Sequence, residues 1–228
     1  MFEVIRITDA SLSDVQRSEY AQKYTDLRIA GLERSPHAFS TTVAIESQLT
    51  SDKRLARLQE LQKTILICVN QDTDEWAGQV TLIGPLTRSE YDLSFQILPG
   101  TESATSPSLA DESNGAYWHM TALYVDDHIR GRGLARLLCE ECFRYIGKGQ
   151  LRIIIKPDNM VVIEMYKRMG FEVLIGHAAL IEAIHASRDG FDKLPAGAAG
   201  DPSYTTRGGI VMVKRVTEGV THNASSSA

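Results

Sequence analysis

A chain of 228 residues with 43% apolar residues and a formal net charge of −5 can bury a full core, and its acidic balance argues against nucleic acid as the main partner, since phosphate binding needs a basic face. No apolar run is long enough to span a membrane, and the opening Met-Phe-Glu-Val-Ile-Arg-Ile lacks the apolar core of a signal peptide. Three cysteines make no disulfide framework, so a cytoplasmic location, with the nucleus open, is the expectation.

In chain order, residues 4–8 read as a short strand, because Val4, Ile5 and Ile7 are β-formers. Ser11 or Ser13 offers an N-cap for a helix over 14–34, which Pro36 stops. A second helix is expected over 44–61 from the spacing of Leu55, Leu58 and Leu61. Residues 64–69 and 76–83 read as strands joined by a polar turn, with Gly84-Pro85 breaking or bending the second. Residues 99–115 hold Ser, Thr, Gly, Pro and acids and read as a mobile loop. A strand follows over 116–125 and a helix over 134–146, with Leu134, Leu137, Leu138 and Cys142 on one face. The apolar run at 151–155 reads as a fully buried strand, and 160–169 as a helix ended by Gly170. Strands are expected at 171–175 and 210–216. The insertion between them, 176–209, has a start at 178–186 compatible with a helix and a loop-like remainder. The tail, 218–228, is expected to be disordered. Strands that dominate the middle without strict alternation predict an α/β fold of the α+β type. It would be a single domain over 1–217, a mixed and mostly antiparallel central sheet flanked by helices.

The segment from Leu123 to Ala135 joins a strand to a helix. Gly131, Gly133 and the small Ala135 let the backbone curl, so that successive N–H groups point into one concavity at a helix N-terminus, and Arg130 and Arg132 add positive charge. That geometry suits a phosphate. A dinucleotide fingerprint fails, because Arg136 stands where the third glycine should be; the P-loop lysine is also absent. By itself the pattern also fits a tight basic turn before a helix.

The second half of the chain adds Asn159, Tyr166 seven residues later, and Gly170-Phe171. This ordered set, with the R-x-x-G-x-A loop, resembles the GNAT superfamily of acyl-CoA N-acyltransferases. The resemblance spans most of the chain and is most specific from Tyr117 to Phe171. It implies acetyl-CoA as cosubstrate, with its pyrophosphate on Arg130, Gly131, Arg132, Gly133, Leu134 and Ala135. Leu123 would lend a backbone N–H to the thioester carbonyl. Tyr124 and Val125 would border the pantetheine arm, and Asn159 and Tyr166 would complete the cofactor site. Val162 departs from the family, in which many members have Ala three residues after the Asn.

The reaction implied is attack of an amine on a thioester. An alkylamine has a pKa of about 10.4, so about one molecule in 10³ is neutral at pH 7, and a proton must be removed. Tyr166 resembles the family's general acid; on the residues alone it could equally pack in a core. Strand alternation puts Tyr117, His119, Thr121, Leu123 and Val125 on one face. His119 stands where related enzymes hold a Glu or a His, and is the candidate base; a strand histidine bonded within the fold is the alternative. No metal is expected. Asp126 and Asp127 fit a solvated turn, and Cys139 and Cys142 fit half-buried helix positions. The expected acceptor is a small-molecule primary amine, aromatic if Tyr117 walls the groove, with Ala179, Leu180 and Ile184 of the insertion capping it. Acetylation of protein lysines or N-termini, and a CoA-binding module without turnover, are the rivals. A monomer or a homodimer is expected, without nucleic acid or membrane.

Overall fold

The computed structural model describes residues 1–8, 10–36, 41–92, 115–187, 201–202 and 208–217. Seven strands form one sheet: β1 (Phe2–Arg6), β2 (Lys63–Asn70), β3 (Glu75–Leu86), β4 (Ala116–Val125), β5 (Gly149–Ile155), β6 (Glu172–Ala179) and β7 (Gly208–Val216). Their order is β1-β2-β3-β4-β5-β7-β6, and every pairing is antiparallel except β4 with β5. The expected mixed, mostly antiparallel sheet is therefore present. The loop expected at 99–115, most of the insertion beyond residue 187, and the tail lie outside the described residues.

Helix α1 (Asp14–Arg34) starts at Ser13, whose hydroxyl accepts the Gln16 N–H while the Gln16 side chain accepts the Ser13 N–H. This reciprocal capping box satisfies two donors that a helix start leaves open. The single helix expected over 44–61 is two helices, α2 (Val43–Ser47) and α3 (Ser51–Gln59). Thr50 breaks it: its hydroxyl accepts the Lys53 N–H, so the chain restarts with a new N-cap. A short helix α4 (Arg88–Tyr91), capped by Thr87 and Glu90, was not expected. Strand β3 runs on to Leu86 through a cis Gly84–Pro85 bond.

The sheet is covered on both faces. On one lie α5 (Leu134–Ile146) and α6 (Met160–Arg168). Leu138, Cys139 and Cys142 of α5 are fully buried and share a core with Met120, Leu151, Ile163 and Tyr166. Emptying one such leucine site costs about 2–5 kcal/mol. On the other face lies α1, whose Tyr24 and Leu27 pack with Ile65, Ile67 and Tyr124. Gly31 permits this approach, because a Cβ there would sit 3.2 Å from the Tyr124 ring. Strand β6 continues past the expected end at residue 175, and α7 (Leu180–Ser187) follows directly and packs against β4.

A candidate acyl-transfer site

Two irregularities in β4 make the site. The first is a bulge. Gln79 pairs with Tyr124 but Thr81 pairs with Thr121, so β4 spends one residue more than β3 there, and Ala122 takes a φ of 55°. An extra residue reverses which face each later side chain takes. Tyr117, His119 and Thr121 therefore share a face with Tyr124, while Leu123 and Val125 join Trp118 and Met120 in the core under α5. The expected common face for Tyr117, His119, Thr121, Leu123 and Val125 is thus corrected at Ala122.

The second is a parting of strands. The β4–β5 pairing runs from Ala116–Gly149 to His119–Arg152 and ends there. Beyond it, residues 120–125 of β4 and 153–156 from β5 border a cleft of about 920 Å³, within the range of small-ligand sites. Both faces of the sheet contribute to it. From the α5–α6 side come Gly131, Gly133, Asn159, Val162 and Tyr166; from the α1–α7 side come Arg28, Ile45, His119 and Ile184.

At one end lies the glycine loop. Gly131 and Gly133 have φ values of 82° and 79°, the left-handed region that side chains resist. A Cβ built on either meets nothing within 4 Å, so the space above them is open. Gly133 caps α5 without any side-chain bond, so the cap residue itself takes none of the first-turn amides. Leu134 and Ala135 line it as expected. Arginine roles differ from expectation. Arg130 lines the cleft, but its Nε donates to the Val125 carbonyl at 3.1 Å and its Nη2 to Ser35 Oγ at 3.1 Å, so it braces the loop against β4 and α1. Arg132 is exposed and outside the lining, whereas Arg136, paired with Glu140 at 2.7 Å, lines the cleft with Lys156 and Arg168. Arg136 carries no sequence signal of its own, since it stands on the first turn of α5 beyond the glycines that mark the loop.

Tyr166 is 3% exposed and borders the cleft, its ring edge-on to Phe171 at 5.1 Å. Burial, then the neighbouring thiols of Cys139 and Cys142, push its hydroxyl well above the usual range, so it stays protonated. Burial also raises the Cys139 thiol to about 12. Asn159 starts α6 but spends no side-chain bond on capping it, and it lines the cleft.

His119 is 2% exposed, and its Nδ1 accepts from Arg152 Nε at 3.4 Å. An imidazole that accepts at Nδ1 carries any ring proton on Nε2. His119 lines the cleft, with Arg152 Nε on its Nδ1. Arg152 is fully buried, donates to the Tyr91 carbonyl and stacks 4.6 Å over the Tyr91 ring; desolvation lowers it to about 10. Tyr117 stacks on Tyr91 at 5.0 Å and is absent from the cleft's described lining, so the expected aromatic wall is not formed by it.

Across α1 and α2, Arg28 holds Glu46 in a fork, Nε to Oε1 at 3.0 Å and Nη2 to Oε2 at 3.1 Å, and Arg57 reaches the same Oε1 at 2.5 Å. Burial alone would raise the Glu46 carboxyl, but the two guanidiniums bring it down to about 2. Among the described residues, the group of three metal-type side chains within reach of one another is Asp126, Asp127 and His128. Arg34 already pairs with Asp126, and Asp126 accepts the His128 N–H at 3.0 Å.

The sequence profile of the acetyltransferase (GNAT) family matches residues 43–171. The chain belongs to that family. It is an acyl-CoA-dependent acetyltransferase, and its fold agrees with solved members at low identity. A GNAT acetyltransferase from Streptococcus pneumoniae superposes with a TM-score of 0.55 at 13% identity, covering 94% of this chain and 99% of that one. The ribosomal-protein-S5-alanine acetyltransferase from Vibrio fischeri gives 0.59 at 11%, covering 94% and 93%. The spermidine N-acetyltransferase from Vibrio cholerae, solved with CoA and spermine, gives 0.52 at 10%, covering 95% and 96%. No curated protein matches the chain in sequence. None of the described helices is long and apolar enough to cross a membrane.

Proposed function

We propose that the chain transfers an acetyl group from acetyl-CoA to the primary amine of a small molecule, by direct attack. The observation that carries this is the single cleft running from the glycine loop, through the parted strands β4 and β5, to Tyr166 and His119. The amides of 130–135 receive the pyrophosphate at the start of α5. The free edge of β4 from residue 120 offers backbone groups to the pantetheine arm, as an added strand would use them. The Leu123 N–H faces the thioester oxygen and stabilises the charge that develops there.

The amine nitrogen bonds to the thioester carbon, the C–S bond breaks, and the thiolate takes a proton from Tyr166. An isolated tyrosine is a poor acid for a thiolate. Burial keeps the Tyr166 hydroxyl protonated, so it is there to donate as the C–S bond breaks. The amine's proton leaves to His119 or to water in the cleft, and Tyr166 regains a proton from solvent before the next turnover.

A small acceptor is favoured because the α1–α7 side is walled. Ala183, Ile184 and Ser187 of α7, with Ile45 of α2, border the cleft where a peptide would need an open groove. Of the expected cap, Ile184 is buried in place; the side chains of Ala179 and Leu180 lie outside the described residues. The test is thiol release from acetyl-CoA with tryptamine, phenethylamine, spermidine, free amino acids and histone-tail peptides. Turnover of a small amine is expected; peptide turnover far above every small amine would show an open groove.

A further inference from the structure

We propose that Gln79, a buried residue of β3, is a positioning residue for the transfer: its side-chain amide holds the Ala122 carbonyl and so aims the Leu123 N–H at the thioester oxygen. This rests on the reading that acetyl-CoA lies along β4 in the parted cleft, and it names what sets the donor there.

The bulge supplies the first reason. Gln79 pairs with Tyr124 and Thr81 with Thr121, so Ala122 and Leu123 have no residue opposite them in the β3 register. A bulge leaves main-chain groups without a ladder partner, and a carbonyl withdrawn from water needs one. Gln79 provides it, since its Nε2 donates to the Ala122 carbonyl at 3.4 Å. A side chain thus stands in for a missing rung. It does so where β4 takes a φ of 55°, a conformation that alanine resists and that needs holding.

The peptide plane supplies the second. The Ala122 carbonyl and the Leu123 N–H belong to one trans peptide unit, in which the C=O and N–H bonds point in opposite directions. With the carbonyl held toward β3, the N–H is directed away from β3, to the side from which β5 has parted beyond Arg152. Leu123 borders the cleft there, while its side chain packs in the core under α5. A residue on the strand behind therefore sets the direction of a donor that faces the cleft.

The setting of the side chain gives the third. Gln79 is fully buried on the α1 face, which it shares with its cross-strand partner Tyr124. Its Oε1 meets no donor among the described residues. An amide that serves one carbonyl and leaves its own oxygen unmatched adds little net stability, because a buried polar group without a partner is costly. An apolar side chain of the same length would suit the core as well. What the glutamine adds is the bond to Ala122, and through it the aim of the next N–H.

The experiment follows the thioester carbonyl of acetyl-CoA, isotope-labelled at that carbon and bound to the intact protein, by difference infrared spectroscopy in the parent, in Gln79→Met and in Gln79→Asn. Methionine matches the length of glutamine and has no donor. Asparagine keeps an amide that stops one methylene short of Ala122, so the readout survives if one variant fails to fold. A hydrogen bond from Leu123 lowers the carbonyl stretch. The parent is expected to lower it relative to free acetyl-CoA, and the variants to return it most of the way, with acetyl-CoA affinity changed by no more than about tenfold, the equivalent of one neutral hydrogen bond. With whichever of phenethylamine and spermidine the parent acetylates, kcat is expected to fall by about 10- to 100-fold with acceptor KM kept, since outright loss of an oxyanion donor costs about 10²–10³-fold. The infrared readout needs no acceptor, so it decides the matter whichever amine the enzyme takes. A lowered stretch that a folded variant keeps overturns the role of Gln79 and leaves acetyl transfer in this cleft standing. A parent that binds acetyl-CoA without lowering the stretch shows that Leu123 is not the donor, and overturns both.

Discussion

Replacing Gly133 with alanine tests the cofactor loop, because the structure separates two effects of one methyl group. The first is local strain. Gly133 sits at φ 79° and ψ 6°, and an L-residue there costs about 1–2 kcal/mol. For a chain of this size that lowers Tm by about 2–8 °C. The second is occlusion. The new Cβ meets no protein atom within 4 Å, so it adds no clash in the free protein and projects into the space over the α5 amides. A pyrophosphate displaced from those amides loses one or two charge-assisted hydrogen bonds, each about 1.5–3 kcal/mol, which weakens CoA binding by at least about tenfold. Gly147 is the control. It also has a positive φ, 65°, with nothing within 4 Å, but it ends α5 far from the loop. Gly147→Ala should lose stability and keep CoA affinity. Calorimetry with CoA and thermal melting of both variants give the two numbers. If folded Gly133→Ala binds CoA within about twofold of the parent, the pyrophosphate does not sit on that loop.

Tyr166→Phe should lower kcat by about 10²–10⁴-fold with CoA affinity unchanged; single-turnover rates within twofold of the parent would leave Tyr166 a packing residue. Because its hydroxyl is pushed up by burial, the kcat profile should show no loss from tyrosine ionisation up to about pH 10. Glu46 titrates at about 2 in the folded chain against an ordinary 4.5, so its ion pairs stabilise above pH 4.5 and are lost as pH falls toward 2. That contribution is about 3 kcal/mol, and acid melting of Glu46→Gln should lack the corresponding slope. Ala122→Val places a β-branched residue at φ 55°, and should lower both Tm and kcat while Ala122→Gly keeps them; equal activity of the two would detach the bulge from catalysis.

What the sequence disclosed and what it hid divide along physical lines. Helix α1 was legible because its signals are local: Ser13 and Gln16 three apart, then Pro36 as a stop. The glycine loop was legible because Gly131 and Gly133 mark backbone that other residues avoid. The break before α3 carried a signal in Thr50 and Ser51; the leucine spacing at Leu55, Leu58 and Leu61 lies wholly beyond it and says nothing of the residues before. The bulge at Ala122 carried none, since alanine is an ordinary strand residue and period two has no marker for an inserted one. Arg152 interrupts the run expected to be a buried apolar strand. Its meaning rests on Tyr91 and His119, 61 and 33 residues away, which only the assembled sheet brings near. That distance is why the contact of Arg152 with His119 could not be read from the strand alone.

The parting of β4 from β5 leaves half a strand's worth of main-chain groups in the middle of the sheet unmatched by a neighbouring strand. The cosubstrate, in occupying that gap, would complete the protein's own architecture as well as supply the acyl group. Such a ligand shifts the folding equilibrium by mass action, by about 2.7 kcal/mol when present at a hundred times its dissociation constant. The chain's resistance to opening at its centre, and to the proteases that exploit such opening, would then rise and fall with the acyl-CoA around it. A cell short of acyl-CoA would lose this enzyme's turnover and its protection together.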